Sequence, residues 1–264
     1  MMDITIESYI IREATADDAA ALREIYAYYV ENTAVTFEYE PPSEENFKAR
    51  IAETRSRYPY LLVEHEDEVY GFALAHAFRE RPAYDYAAEV TIYIRHDLRH
   101  LGLGRIIYTT LEEELGRMGM RIAYACVALP SGEDEYLSMD SPRFHEALGY
   151  RRCGEFRSCG YKYGTWYTMI WMEKVIADFV ACPEPLKAYP ALLKDAAKHV
   201  PGPLSMYDDR EVRLVTEYGE MFRGVCGSFS AEFGLHEFGK EEEGVQIDNY
   251  IFYKSDIRSI EPVG

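Results

Sequence analysis

Positive charge is scarce in this 264-residue chain: 28 lysines and arginines stand against 46 aspartates and glutamates, a formal net charge of −18 at pH 7. Phosphate-rich partners need clustered cations, so this balance argues against nucleic acid and anionic membranes and favours cationic ligands. Most of the acidity is expected to be a solvated surface that maintains solubility. Also missing is any run of 18 or more apolar residues that could span a membrane. The opening residues 1–15 lack the basic and apolar regions of a secretion signal, and a cytoplasmic location is expected. Cysteine is sparse: Cys126, Cys153, Cys159, Cys182 and Cys226 are odd in number and contain no C-x-x-C pair. That spacing excludes a zinc ribbon and a disulfide framework, so reduced thiols and no metal are expected, and no cysteine has the look of a nucleophile. No internal repeat is evident.

What the chain does have is enough apolar residues, 48% hydrophobic and 14% aromatic, to fill one large core or two smaller ones. The most informative stretch is residues 89–111. Val90, Ile92 and Ile94 alternate with Thr91, Tyr93 and Arg95 as in a half-buried strand, and Ile106, Ile107, Tyr108 and Leu111 follow at helical spacing. Between them lies Arg99-His100-Leu101-Gly102-Leu103-Gly104, so the helix begins at the glycines. A helix start offers unpaired N–H groups and the positive end of the dipole, Gly102 and Gly104 let an anion approach the backbone, and Arg99 adds a permanent charge. Such a turn also suits dinucleotide binders, but those need G-x-G-x-x-G in the first βαβ unit.

Elsewhere to residue 176 the pattern alternates β and α. It predicts a strand over 4–12, a capping box at Thr15 to Asp18 before a helix carrying Leu22, Ile25, Tyr26, Tyr29 and Val30, and a second helix from Ser43. Strands are expected over 60–64 and 69–78 around Glu66-Asp67, over 122–129, 150–156 and 166–175, with a short helix over 141–147. Residues 178–202 are rich in proline and read as a linker with one helical patch over 186–199. Residues 203–264 show short strands split by glycines, which suggests a small all-β barrel. The expected organisation is thus a mixed α/β domain over 1–177, the linker, and an independent tail used for self-association or a protein partner.

Arg-x-x-Gly-x-Gly after a strand resembles the acetyl-CoA signature of the GCN5-related N-acetyltransferase (GNAT) superfamily. Thr36-Phe37-Glu38, residues 78–84 (FRERPAY), Glu89 and residues 160–166 (GYKYGTW) together resemble its phosphinothricin and methionine-sulfone acetyltransferase branch. The tail is similar, in pattern only, to an Sm-like or SH3-like barrel; its acidity weighs against RNA binding. The GNAT resemblance implies a mostly antiparallel sheet flanked by helices, acetyl-CoA as cofactor, a homodimer, and transfer of acetyl to the amine of a small amino acid or analogue without an acyl-enzyme. The diphosphate would lie on Arg99, His100, Leu101, Gly102, Leu103 and Gly104, and the backbone of Ile92, Tyr93 and Ile94 would bind the rest of the cofactor. Peptide or polyamine acetylation, or a non-catalytic acyl-CoA sensor, are the alternatives.

Within that resemblance Glu89 is the expected general base, its alternative an ion pair with an arginine. His145 stands where many members carry a tyrosine that protonates the departing thiolate; it could instead bond the substrate or be satisfied by neighbouring backbone. Arg79, Arg81 and Tyr84 suit the acceptor's carboxylate or are merely solvated, and Phe37 and Trp166 would wall the acceptor site or serve as ordinary core. In the loop before His145 the family's Asn-x-x-Ser becomes Ser138-Met139-Asp140-Ser141, and residues 130–136 form a long acidic lip. Ser138 and Ser141 are the expected cofactor contacts there.

Overall fold

A computed structural model describes residues 9–130, 132–196, 200 and 202–263. The parts of the expected elements at 4–8, 131, 197–199 and 201 lie outside these. The chain opens with β1 (Ile10–Glu13) and the capping box, in which Asp18 accepts from the Thr15 N–H at 2.6 Å and its hydroxyl at 2.9 Å. Helix α1 (Ala19–Asn32) buries Leu22, Ile25, Tyr26, Tyr29 and Val30, as its spacing predicts. Helix α2 (Glu44–Arg55) starts at Ser43, whose hydroxyl accepts the Asn46 N–H. Then follow β2 (Tyr60–His65), β3 (Glu68–Ala77), β4 (Ala87–Ile94), α3 (Leu103–Met118), β5 (Ile122–Leu129), α4 (Asp140–Ala147), β6 (Arg151–Lys162) and β7 (Thr165–Val175). The 160–166 motif forms the end of β6 and a hairpin at Tyr163 and Gly164, both at positive φ.

The sheet order across this part is β1-β2-β3-β4-β5-β7-β6, antiparallel except between β4 and β5. Helices α1 and α2 cover one face of β2 to β4 around Phe47, Ile51, Tyr60, Leu62 and Phe72. Helix α3 covers the other with Ile107, Tyr108, Leu111 and Leu115, all fully buried. Parallel pairing of β4 with β5 runs only from Ala87 to Glu89, opposite Ile122 to Tyr124, while β4 stays paired with β3 as far as Ile94. The sheet therefore forks beyond Glu89.

The linker contributes α5 (Tyr189–Lys194), shorter than its predicted patch, and the tail contains β8 (Arg210–Thr216), β9 (Met221–Phe229), α6 (Ala231–Phe238), β10 (Gly244–Ile247), β11 (Tyr250–Tyr253) and β12 (Ile257–Pro262). Helix α6 enters where strands alone are expected. Its Ser230 cap accepts the Phe233 N–H.

The tail also departs from the free-standing unit that the proline-rich linker suggests. Strand β9 pairs antiparallel with β1, Ile10 opposite Gly224, so one sheet runs through both parts. Ile10 sits in the tail's own core with Val212, Leu214 and Ile247, whereas Tyr189 and Leu193 join the core under α3. Arg213 makes two bonds to Glu114 of α3, at 2.5 and 2.8 Å, and Arg223 reaches Thr110 and Glu113. Glu114 is 1% exposed, and a carboxylate buried that deeply is tolerable only with such a partner.

Candidate active site

Beyond the fork a cleft of about 710 Å³ opens between the end of β4, the start of α3, the end of α1 and residues 134–144. Its floor is Ile92, Tyr93 and Ile94, whose edge toward β5 is freed by the lost pairing. Its rim holds Arg99, His100, Gly102, Leu103 and Gly104. Gly102 is the N-cap of α3 at φ 87°, a conformation that side chains disfavour. A Cβ on Gly104 would sit 3.3 Å from the Phe144 ring, in the space between α3 and α4. Helix geometry leaves the N–H groups of the first turn of α3 without internal acceptors, and the residues that bear them line the cleft. This is where the sequence leads one to expect an anion. Leu101 is the exception: it is exposed and does not line the cleft.

Ser138 and Ser141 both line the cleft, beside Asp140, whose N–H bonds the Ser138 hydroxyl. Arg99 is ion-paired to Asp140 across the cleft. Asp134 accepts from the Tyr167 hydroxyl and the Tyr136 N–H; burial, reinforced by that carboxylate, pushes the Tyr167 phenol up to about 12. Asp134 and Glu135 line the cleft, so the acidic lip lies along it.

Glu89 occupies the fork itself, about 10 Å along the strand from Ile92, with His76 and Tyr124 as its register partners. His76 Nε2 stands 3.6 Å from its carboxylate and is partly solvent-exposed. Phe78 stacks on Tyr124 at 4.3 Å, Tyr84 meets Phe78 edge-on, and Arg79 lies over Phe78 and Trp171. Two of the three expected acceptor groups, Arg79 and Tyr84, thus reach the aromatic patch beside Glu89, outside the cleft. Arg81 is an exposed cap of the turn at Pro82–Tyr84, with its carbonyl accepting the Tyr84 N–H. Cys126 is near enough for Glu89 to affect it: partial desolvation, with Glu89 adding, pushes its thiol up to about 12 although the residue keeps an exposed surface.

Three expected site residues are placed elsewhere. His145 is 4% exposed and faces α3: Nε2 meets the Tyr108 hydroxyl at 3.1 Å and Nδ1 the Ser141 carbonyl at 2.8 Å. Burial lowers its pKa, partly offset by that carbonyl. Such a ring cannot reach the cleft, which its neighbour Phe144 lines instead. Phe37 packs on Gly160, where a Cβ would come within 2.4 Å of its ring, and belongs to a small core with Tyr167. Trp166 is 58% exposed against Tyr161 on the β6–β7 hairpin.

Four contributors escaped sequence reasoning. Tyr29 lines the cleft and donates to the Ile94 carbonyl at 2.5 Å. Arg105 and Arg143 add two cations, Arg143 three residues after Asp140 on α4. Lys162 is buried, which lowers its pKa, and donates to the carbonyls of Val30, Thr33 and Thr36, tying β6 to the end of α1. A lysine inside an otherwise aromatic motif is the one signal that could have marked it.

Residues 11–171 match the acetyltransferase (GNAT) domain model. The chain is 35% identical over 177 residues to a phosphinothricin N-acetyltransferase of Streptomyces viridochromogenes, covering 67% of this chain and 92% of that protein. It is 27% identical over 175 residues to the L-methionine sulfoximine/L-methionine sulfone acetyltransferase of Salmonella typhimurium, covering 65% and 96%. The crystal structure of a GNAT superfamily phosphinothricin acetyltransferase from Sinorhizobium meliloti, in complex with acetyl-CoA, superposes with a TM-score of 0.61 at 30% identity, over 68% of this chain and 95% of that one.

Proposed function

Because the chain belongs to the GNAT acetyltransferases and so transfers acetyl from acetyl-CoA to an amine, we propose that its acceptor is a small amino acid or analogue, acetylated directly within a ternary complex. Acetyl-CoA supplies an activated acetyl thioester. The cleft has what such a group requires: a glycine-opened helix start, three arginines on the rim, and a strand edge left bare by the fork. The first turn of α3 and Arg99 would hold the diphosphate, with the backbone of Ile92 to Ile94, Ser138 and Ser141 along the remainder.

Glu89 takes the ammonium proton of the acceptor at the fork, and His76 passes it toward solvent; the free amine then attacks the thioester carbonyl, the C–S bond breaks, and the departing coenzyme A thiolate takes up the proton that the new amide nitrogen gives up. Arg79 and Tyr84 orient the acceptor over the Phe78–Tyr124 patch. Direct transfer is favoured by Cys126, whose thiol is pushed up to about 12, away from the thiolate that an acyl acceptor needs. The acidic lip weighs against a polyamine, since Asp134 and Glu135 line the cofactor cleft rather than the Glu89 patch. A second copy is proposed on β6, the strand that ends the sheet.

The observation that carries this reading is Glu89 at the point where β4 and β5 part. Thiol release from acetyl-CoA should be greatest with phosphinothricin, methionine sulfone or an amino acid, and low with polyamines. Glu89→Gln should lower kcat by roughly 10² to 10⁴ with unchanged acetyl-CoA affinity. Wild-type kcat and pH profile in that variant would reassign Glu89 to its pair with His76.

A further inference from the structure

The cation assigned to the diphosphate is already engaged. Arg99 lies in an ion pair with Asp140, from the first turn of α4, and both residues line the cleft. Their side chains are 35% and 44% exposed, so the pair closes over the rim at the surface instead of buttressing a core. Asp140 is held by its chain: its N–H bonds Ser138, and α4 is fixed by Pro142 and His145, both buried. The Arg99 side chain is the longer partner, with more rotatable bonds.

We propose that Asp140 is a resident counter-anion that competes with the cofactor for Arg99 and thereby sets its affinity; this rests on the diphosphate reading above. In the free enzyme the carboxylate neutralises Arg99. A diphosphate carries more charge and can engage the guanidinium through two oxygens, so it displaces the carboxylate while being repelled by it. The same turn offers the released carboxylate a new partner. Arg143 lies three residues on, a spacing at which helical side chains meet, lines the same cleft, and has no carboxylate partner among the described residues. Exchange of Asp140 from Arg99 to Arg143 leaves no anion unpaired beside the bound phosphates.

The test is calorimetric titration of the full chain with coenzyme A, without acceptor amine, for wild type, Asp140→Asn, Arg99→Ala and the double variant. Asparagine keeps the shape and the Ser138 contact but not the charge. Asp140→Asn is expected to bind about fivefold tighter, the scale of one exposed ion pair plus the relieved repulsion. In the Arg99→Ala background most of that gain should vanish. Unchanged or weaker binding by Asp140→Asn, or an equal gain without Arg99, overturns the competition. Unchanged affinity of Arg99→Ala alone would instead overturn the diphosphate reading, so the two failures are distinguishable.

Discussion

Glu89 and His145 show how differently one pattern can place two titratable groups. A carboxylate at the last paired position of a forking strand is held by the sheet yet open on one side, which suits a base. His145 lies on an eight-residue helix whose cleft face is taken by Phe144, so its ring turns inward to Tyr108. Its burial has a measurable consequence. A histidine whose folded pKa lies below the ordinary value of about 6.5 binds fewer protons folded than unfolded, so stability rises with pH through that window and falls as pH drops below about 6.5. Melting temperatures of wild type and His145→Gln should therefore differ more at pH 7.5 than at pH 5.5. A constant difference would mean the ring is not held neutral.

At the scale of elements, the α3 side is settled by its own chemistry. Glycines at the start of α3 and apolar spacing along it dictate both the open first turn that lines the cleft and the packed face. Strand β6 is different: most of its residues from Arg151 to Cys159 are exposed, and it ends the sheet. A long uncovered edge invites pairing with another chain, and Phe156, 50% exposed at mid-strand, is a natural anchor. Phe156→Glu should turn a dimer into a monomer by light scattering while the melting temperature changes little. A wild-type chain that is monomeric at working concentration removes β6 as the interface.

For the whole molecule, the tail is a lateral extension of the catalytic sheet. Ending the chain at residue 177 would remove Tyr189 and Leu193 from the core beneath α3, bare the edge of β1, and strip Glu114 of Arg213. Losing two large core side chains alone costs roughly 5 kcal/mol, comparable to the whole stability of many domains. The truncated protein is expected to be insoluble or to unfold at much lower denaturant than the full chain. Full stability in the truncated form would restore the independent tail that the linker's prolines suggest.

The sequence by itself determined what depends on neighbours along the chain. The capping box at Thr15, the burial stripe of α1, the glycine start of α3, the alternation of β4 and the short tail strands were legible because propensity, periodicity and turn chemistry act over a few residues. Gly102, Gly104 and Arg99 stood out for the same reason, as a glycine-opened helix start with a cation beside it, whereas Glu89 stood out only through the family resemblance. What only the tertiary structure decided involves long separations. Arg213 meets Glu114, 99 positions away, Lys162 reaches the end of α1 across about 130 positions, and β9 finds β1. No local signal encodes such partners. They are selected because a buried charge needs a counter-charge, a buried ammonium needs acceptors, and a bare strand edge needs a ladder, and only the folded chain brings each need to its remedy.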